Sequence, residues 1–261
     1  MTNAPFDLKA RAHQAMVDAG FHPGFPPEVC REVQLLQAAP GNVSDPAARD
    51  LRSLLWSSID NDTSCDLDQV EYAEKLADGA VRLLVGIADV DAAVPKSSAT
   101  DRHAAAEATS VYTGVTTFPM LPGELSTDLT SLVDARDRLS IVIEMHVLSS
   151  GDVDCHEVYP ALIHNRAKLA YHSTGAWLEG HGPIPPAIAV VPGMEAQLRL
   201  QQETSDKLQG IRKRHGALTF SSLEPTPIVE NGVVKDLAVR QHNVAEDIIE
   251  SFMVAANVAF S

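Results

Sequence analysis

The stretch Ser57–Glu71, "SSIDNDTSCDLDQVE", concentrates negative charge that the rest of the chain has to accommodate. It contains four aspartates, Asp60, Asp62, Asp66 and Asp68, and no lysine or arginine separates them. Carboxylates at this spacing repel one another unless a cation lies between them. Three interpretations fit the pattern: a solvated acidic loop, a calcium-binding loop, or a magnesium site.

The calcium interpretation matches only part of the pattern of an EF-hand loop. Counted from Asp60, the oxygen ligands of such a loop would be Asp60, Asp62, Ser64 and Glu71, but Cys65 stands where the sharp turn requires glycine. Magnesium also suits a carboxylate cluster, because it leaves room for substrate phosphates, and two such ions can hold the attacking and leaving oxygens. The spacing alone does not choose between the two metals.

The composition is that of a globular chain. Its 261 residues, 45% of them hydrophobic, suffice for one large domain or two small ones. No apolar run reaches the roughly 18 residues of a membrane span, so we expect no membrane association. Three widely spaced cysteines, Cys30, Cys65 and Cys155, fit a reducing cytoplasm better than a disulfide framework or a zinc site. The net charge of −15 argues against nonspecific nucleic-acid binding.

Hydrophobic periodicity and turn signals predict interleaved helices and strands without a regular βαβ rhythm, which is an α+β chain. The predicted helices are 8–20, a second one that ends near 40–41, a short one over 46–56, then 101–110, 167–179, 193–214 and one from about 244 to the end. The predicted strands are a buried one over 80–90, two or three antiparallel ones within 138–165, and a hairpin over 226–239 around Asn231-Gly232.

Further motifs follow the acidic stretch in a fixed order. They are "VGIADV" (85–90), "SSATDRHAA" (97–105), "TSVY" (109–112), "PMLPGELS" (119–126) and "SLVDARDRL" (131–139), followed by "AKLAYHSTGAWLEG", "GALTF" and "IIESFMVAAN". With the acidic signature, these motifs resemble the catalytic domain of the ribonuclease II and ribonuclease R family, the RNB domain. The resemblance runs from about residue 51 to the last residue. It is greatest to a bacterial branch with a helical N-terminal region in place of cold-shock domains.

The resemblance implies an α+β, RNB-type catalytic domain over 51–261, with a mixed or antiparallel sheet and packed helices. A small helical region over 1–50 precedes it, and a helix-turn-helix-like arrangement is one option there. In the family, the last helix continues toward a further segment with an arginine at the scissile phosphate, and an OB-fold usually follows. We therefore expect a catalytic domain that is incomplete at its C-terminal end, in one piece of a longer protein. A second polypeptide is one way to supply the missing segment.

The resemblance also implies chemistry: a 3′-to-5′ exoribonuclease that hydrolyses single-stranded RNA to 5′-mononucleotides with one or two Mg²⁺ ions, for which Mn²⁺ could substitute. Asp60, Asp66 and Asp68 match the first three acidic positions of the family as metal ligands and catalytic residues, and loss of Asp68 is expected to be the most damaging. Gln69 stands at the fourth acidic position. Its carbonyl oxygen can coordinate Mg²⁺ but brings no charge. Asp62 has no family counterpart.

Three more residues are implied to contact RNA. Tyr112 matches a tyrosine that contacts the 3′-terminal nucleotide, Phe220 an aromatic residue that stacks on the terminal bases, and Glu250 an acidic residue of the last helix that faces the substrate. Stacking suits any sequence, because every base has a π-face. The alternative hypothesis is a non-catalytic RNA-binding or regulatory protein of the same fold with a weakened metal site, which the neutral Gln69 favours.

Overall fold

The computed structural model describes residues 7–38, 45–218, 225–230, 233–239 and 242–260. Contacts group the chain into two compact units. The first comprises Met1–Asn42, Val94–Leu125 and Phe220–Gln241, and the second comprises Val43–Ala93, Ser126–Thr219 and His242–Ser261. The division predicted from the sequence, at residue 50, stays a prediction. Within the described ranges, no helix is both long enough and apolar enough to cross a lipid bilayer.

The helices are α1 (Leu8–Asp18), α2 (Pro27–Ala38), α3 (Ala99–Glu107), α4 (Tyr171–Leu178), α5 (Pro186–Ala189), α6 (Met194–Arg214) and α7 (Val244–Phe260), with one π-helical turn over Leu125–Leu129. The strands are β1 (Arg49–Asp50), β2 (Trp56–Asp60), β3 (Gln69–Lys75), β4 (Val81–Ala88), β5 (Val111–Tyr112), β6 (Thr117–Phe118), β7 (Asp137–Val147), β8 (Val153–Ala170), β9 (Pro225–Glu230) and β10 (Val233–Val239). This mixture confirms the α+β class.

The first unit contains α1, α2 and α3 and two small hairpins. Glu32 on α2 accepts hydrogen bonds from the backbone N–H groups of Ala99 and Thr100, at 2.8 and 2.9 Å, and from the Thr100 hydroxyl at 2.7 Å. A carboxylate at this position satisfies free N–H groups and complements the helix dipole, so α2 and α3 are joined by more than apolar packing. The predicted hairpin is confirmed as β9 and β10, while its turn residues, Asn231-Gly232, lie outside the described residues.

The second unit is organised around a sheet of order β1-β8-β2-β3-β4-β7. The long strand β8 pairs antiparallel with β7 from Val153 to His164 and parallel with β2 from Asn165 to Ala170. Because β8 serves both neighbours, the strands β8, β2, β3, β4 and β7 close into a ring. In a closed ring each of these strands has a hydrogen-bonded neighbour on both sides, so none of them is an edge strand. The end of β2 is therefore fixed between β8 and β3.

Strand alternation divides the apolar residues of the ring between two clusters. Leu84 and Trp56 belong to one cluster, together with residues of β7 and β8. Leu83 and Val85 point the other way, because successive side chains of a strand alternate, and they pack with residues of α4, α5, α6 and α7 such as Phe252. The helices therefore cover one face of the ring.

One helical prediction is wrong and another helix starts later than predicted, in both cases because strand pairing overrides local helix propensity. The segment predicted as a helix over 46–56 contains β1, which pairs parallel with β8, and ends at Trp56, which starts β2 and is fully buried. The helix predicted to start at residue 167 begins at Tyr171, because Ala167–Ala170 pair with β2. The buried strand over 80–90, the antiparallel strands within 138–165, and the helices near 8–20, 101–110, 193–214 and 244 onward are confirmed.

Glu144 on β7 provides a test of how the ring is stabilised. Its carboxylate receives two hydrogen bonds from Arg82 on β4, at 2.8 and 2.9 Å, and one from the Tyr159 hydroxyl on β8, at 2.7 Å. The Arg82 hydrogen bonds, with help from Tyr159 and against the effect of burial, lower the pKa of Glu144 from 4.5 to about 2. The ionised carboxylate therefore stabilises the fold above pH 4.5, and this contribution is lost as the pH falls toward 2.

We predict that Glu144→Gln lowers the free energy of unfolding by about 2 kcal/mol near neutral pH, because hydrogen bonds to a buried charged group are lost. Urea denaturation at a series of pH values should show the difference from wild type shrinking below about pH 4.5. Glu203→Gln is the matched control, because Glu203 pairs with Lys207 on the surface of α6 and such pairs contribute below about 1 kcal/mol. A difference for Glu144→Gln that does not change with pH would contradict this account.

Candidate metal centre

The acidic stretch is a loop that joins two neighbouring strands of the ring. Asp60 is the last residue of β2, and Gln69 is the first residue of β3. Asp66 and Asp68 lie on the loop between them, as does Asp62. A strand–loop–strand arrangement is not the helix–loop–helix of an EF-hand, so the calcium interpretation is wrong in that form.

Ser131 fixes the backbone of the acidic loop by hydrogen bonds. Its hydroxyl donates to the carbonyl oxygen of Cys65 at 2.7 Å and accepts from the N–H of Leu67 at 3.0 Å. The next residue, Leu132, donates its N–H to the Leu67 carbonyl oxygen at 2.8 Å, and Leu67 is itself buried. Arg138 in turn donates to the Ser131 carbonyl oxygen at 3.0 Å. The motif "SLVDARDRL" therefore fixes the backbone on both sides of Asp66.

Two residues of β8 support the same region. Asn165 is fully buried, and its amide donates to the Ser58 hydroxyl at 3.0 Å and to the Leu132 carbonyl oxygen at 2.8 Å. Lys168 donates to the carbonyl oxygen of Ser64 in the loop. The polar groups of Asn165 and Lys168 are thus paired with backbone and hydroxyl groups, which fixes the strand end and the loop backbone around the carboxylates.

The pKa of Asp68 reflects the protein atoms and charges around its carboxylate. Asp68 keeps solvent-accessible surface, but surrounding protein atoms partly desolvate its carboxylate, and this desolvation is the main cause of a raised pKa. The carboxylates of Asp60 and Asp66 raise the pKa of Asp68 further, against the effect of its own backbone N–H. Asp60 and Asp66 therefore both lie within electrostatic range of Asp68, and a cation shared by the three carboxylates would offset their repulsion.

Glu71 is a fourth carboxyl group near the site, one that the sequence signature does not include. It lies on β3 and is fully buried, and neither of its carboxylate oxygens has a hydrogen-bond partner among the described residues. Burial raises its pKa well above the ordinary value, and the charges of Asp68 and Asp60 add to this effect. Those two carboxylates therefore lie close enough to act on Glu71.

Gln69 faces the same side of the ring as Glu71. It is buried, and its amide nitrogen lies 3.4 Å from the carbonyl oxygen of Ile59, next to Asp60. Carboxylate and amide oxygens are the donors that hard divalent cations prefer. Since the unpartnered oxygens of Glu71 also lack a counter-charge, the donor set fits a divalent cation such as Mg²⁺ or Mn²⁺.

The three residues implied to contact RNA have different outcomes. Tyr112 ends β5 in the first unit, and it is 68% exposed. Glu250 is exposed on α7 of the second unit, and Arg212 of the basic stretch at the end of α6 lies 3.4 Å from its carboxylate. Phe220 lies outside the described residues.

The sequence did not indicate that Ser131 and Asn165 support the acidic loop. It also did not indicate that Glu71 is a buried carboxyl group near the site. Glu71 was considered only as the last ligand of a calcium loop. Had 69–75 been assigned as a strand, alternation would have put Glu71 on the same face as Gln69, and a buried carboxyl group would have been suspected. Ser131 and Asn165 gave no such signal, because their partners are 64 or more and 33 or more residues away in sequence.

Comparisons with known proteins agree with this architecture. The RNB domain family matches residues 48–261. Ribonuclease R of Thermotoga maritima is 33% identical over 235 residues, which are 89% of this chain and 32% of that protein. Exoribonuclease 2 of Klebsiella pneumoniae strain 342 is 33% identical over 213 residues, which are 80% of this chain and 32% of that protein.

A solved structure gives the same result for the fold. Mycoplasma genitalium RNase R, in complex with ribose-methylated single-stranded RNA, superposes with a TM-score of 0.88 at 26% identity, over 96% of this chain and 38% of that one. This chain thus spans about a third of the length of the relatives that it matches. The matched range, the relatives and the fold together show that the chain belongs to the RNB-domain family of ribonuclease II and ribonuclease R.

Proposed function

We propose that this chain forms the metal-binding part of an exoribonuclease that hydrolyses single-stranded RNA from its 3′ end to 5′-mononucleotides. The observation that carries the proposal is the gathering of Asp60, Asp66 and Asp68 at one end of β2, on a backbone that Ser131 holds in place. Exoribonucleases are the family relatives, and one similar structure holds single-stranded RNA. The whole protein's substrates and products belong to the proposal.

Mg²⁺ is the cation we propose for the site, and when bound it would neutralise charge at the scissile phosphate and lower the pKa of an attacking water. Asp60, Asp66 and Asp68 would hold it, with Gln69 as a neutral fourth oxygen donor. Hydrogen bonds to Ser131 and Leu132 fix the loop backbone, so only the side chains would have to move to surround the cation. A backbone fixed in advance lowers the cost of reorganisation during the reaction.

RNA binding is proposed to depend on groups other than these carboxylates. Tyr112 offers an exposed aromatic ring, which suits contact with a terminal nucleotide of any sequence. Phe220 is proposed as the stacking residue, and Glu250 as an acidic group that faces the substrate. The ion pair of Glu250 with Arg212 gives that surface both charges, so a phosphate could approach the arginine.

A gel assay separates this function from the non-catalytic alternative. Labelled oligo(A) is incubated with the purified protein in Mg²⁺ and, in parallel, in EDTA. We expect slow shortening from the 3′ end in Mg²⁺ only, since the sequence predicts that the catalytic domain is incomplete at its C-terminal end. Binding of the oligonucleotide without shortening in Mg²⁺ would support the RNA-binding or regulatory hypothesis instead.

We predict that Asp68→Asn lowers the cleavage rate by about 100-fold or more, because a carboxylate is lost where negative charge must hold the cation. The affinity for RNA, measured by fluorescence anisotropy, should change little. Asp62→Asn is the matched control: Asp62 is an exposed aspartate of the same loop, and its change should leave the rate within about twofold. Undiminished turnover in Asp68→Asn would remove Asp68 from the mechanism.

A second prediction concerns the neutral residue at the fourth acidic position. If Gln69 coordinates the cation, Gln69→Asp adds a charge to the ligand set and should lower the Mg²⁺ concentration needed for half-maximal activity. The Mg²⁺ dependence of the initial rate measures this. An unchanged requirement would mean that Gln69 is not a ligand.

A further inference from the structure

Glu71 presents a problem that the proposed function leaves open. A buried carboxyl group normally has hydrogen-bond partners, and an unsatisfied one costs free energy. Both oxygens of Glu71 are buried without a hydrogen-bond partner among the described residues. The side-chain carbonyl oxygen of Gln201 is in the same state, and the Gln201 amide lies 3.5 Å from the Glu71 backbone carbonyl oxygen.

The charges near Glu71 make its burial harder to explain. The side chains that act on it electrostatically are Asp68 and Asp60, which are both acidic. The neighbour across the β2–β3 pairing is Ser57, a neutral residue. Among the described residues, no basic side chain donates a hydrogen bond to the Glu71 carboxyl group.

Strand geometry connects Glu71 to the metal site. Residues two apart on a strand point to the same face, about 7 Å apart, so Glu71 follows Gln69 along one face of β3. Gln69 reaches the Ile59 carbonyl oxygen beside Asp60. In the β2–β3 pairing Glu71 lies opposite Ser57, three residues before Asp60. It therefore lies behind Gln69 on the same face of β3, within electrostatic range of Asp60 and Asp68.

We propose that Glu71 is an additional carboxylate ligand of the divalent-cation site at Asp60 and Asp68, and that it supplies the negative charge that Gln69 lacks. This inference rests on the proposed function, because it concerns the same site. The carboxylate that the family signature has at its fourth position would then be supplied by Glu71, two residues farther along β3. A bound cation would provide both the partner and the counter-charge that Glu71 lacks.

The test is a titration with Mn²⁺ in the absence of RNA, with free Mn²⁺ followed by electron paramagnetic resonance. Glu71→Gln keeps the shape of the side chain and removes its charge. We expect the affinity for Mn²⁺ to fall by about tenfold or more. The increase in melting temperature that Mn²⁺ produces in the wild type should shrink, whereas the melting temperature of the metal-free variant should be unchanged or higher, because a buried acid has been removed.

Two further variants serve as controls. Asp62→Asn removes an exposed carboxylate from the same loop and should leave Mn²⁺ affinity within about twofold. The double variant Gln69→Asp with Glu71→Gln returns a carboxylate to the fourth position. It should recover most of the affinity that Glu71→Gln loses, which a merely structural role of Glu71 would not produce.

An unchanged Mn²⁺ affinity in a folded Glu71→Gln variant overturns the inference. Should that variant lack a cooperative melting transition, Glu71→Met is used, because it removes the carboxylate and keeps the volume of the side chain, and unchanged affinity in it also overturns the inference. Failure of the proposed function looks different. In that case the wild type neither binds Mn²⁺ nor shortens RNA, whereas cleavage that depends on Asp68, together with a silent Glu71→Gln, rejects only the role of Glu71.

Discussion

Carboxylates that repel one another lie at the end of β2, and the structure around them has to offset this repulsion. The carboxylates of Asp60 and Asp66 act on Asp68, because protein atoms around Asp68 weaken the screening by water. Such a loop would spread apart if its backbone were free. It is held because its N–H and carbonyl groups are bonded to Ser131 and Leu132. These hydrogen bonds to the loop backbone offset the repulsion between the carboxylates.

The closed ring of strands explains why the residues that support the acidic loop lie far from it in sequence. β8 pairs with β7 and then with β2, so residues near 131–139 and 165–168 are brought behind a loop that precedes them by more than 60 residues. Asn165 joins Ser58 to the Leu132 carbonyl oxygen at the point where β8 changes partner. A displacement there would move the ends of β2 and the loop together, which links the stability of the ring to the geometry of the site.

In the proposed site, Gln69 and Glu71 would redistribute negative charge within one ligand set. A site that must hold a divalent cation needs enough negative charge, but the backbone positions that provide it can differ. Gln69 keeps an oxygen donor at the fourth position of the signature without charge, while a carboxyl group lies two residues farther along the same face, without a partner. In a protein interior, an unpaired polar group of this kind is informative because it is costly.

The sequence alone determined the α+β class, most helices and strands, and the position of the acidic signature, because periodicity, turn residues and motif order are local properties. It could not determine that Arg49–Asp50 and 167–170 are strand residues, since their pairing with β8 and β2 outweighs local helix propensity. Nor could it identify Ser131 and Asn165 as supports, or Glu71 as a buried acid beside Asp68 and Asp60. Those facts arise from contacts between distant segments, and only the tertiary structure sets burial, hydrogen-bond partners and the distance between charges.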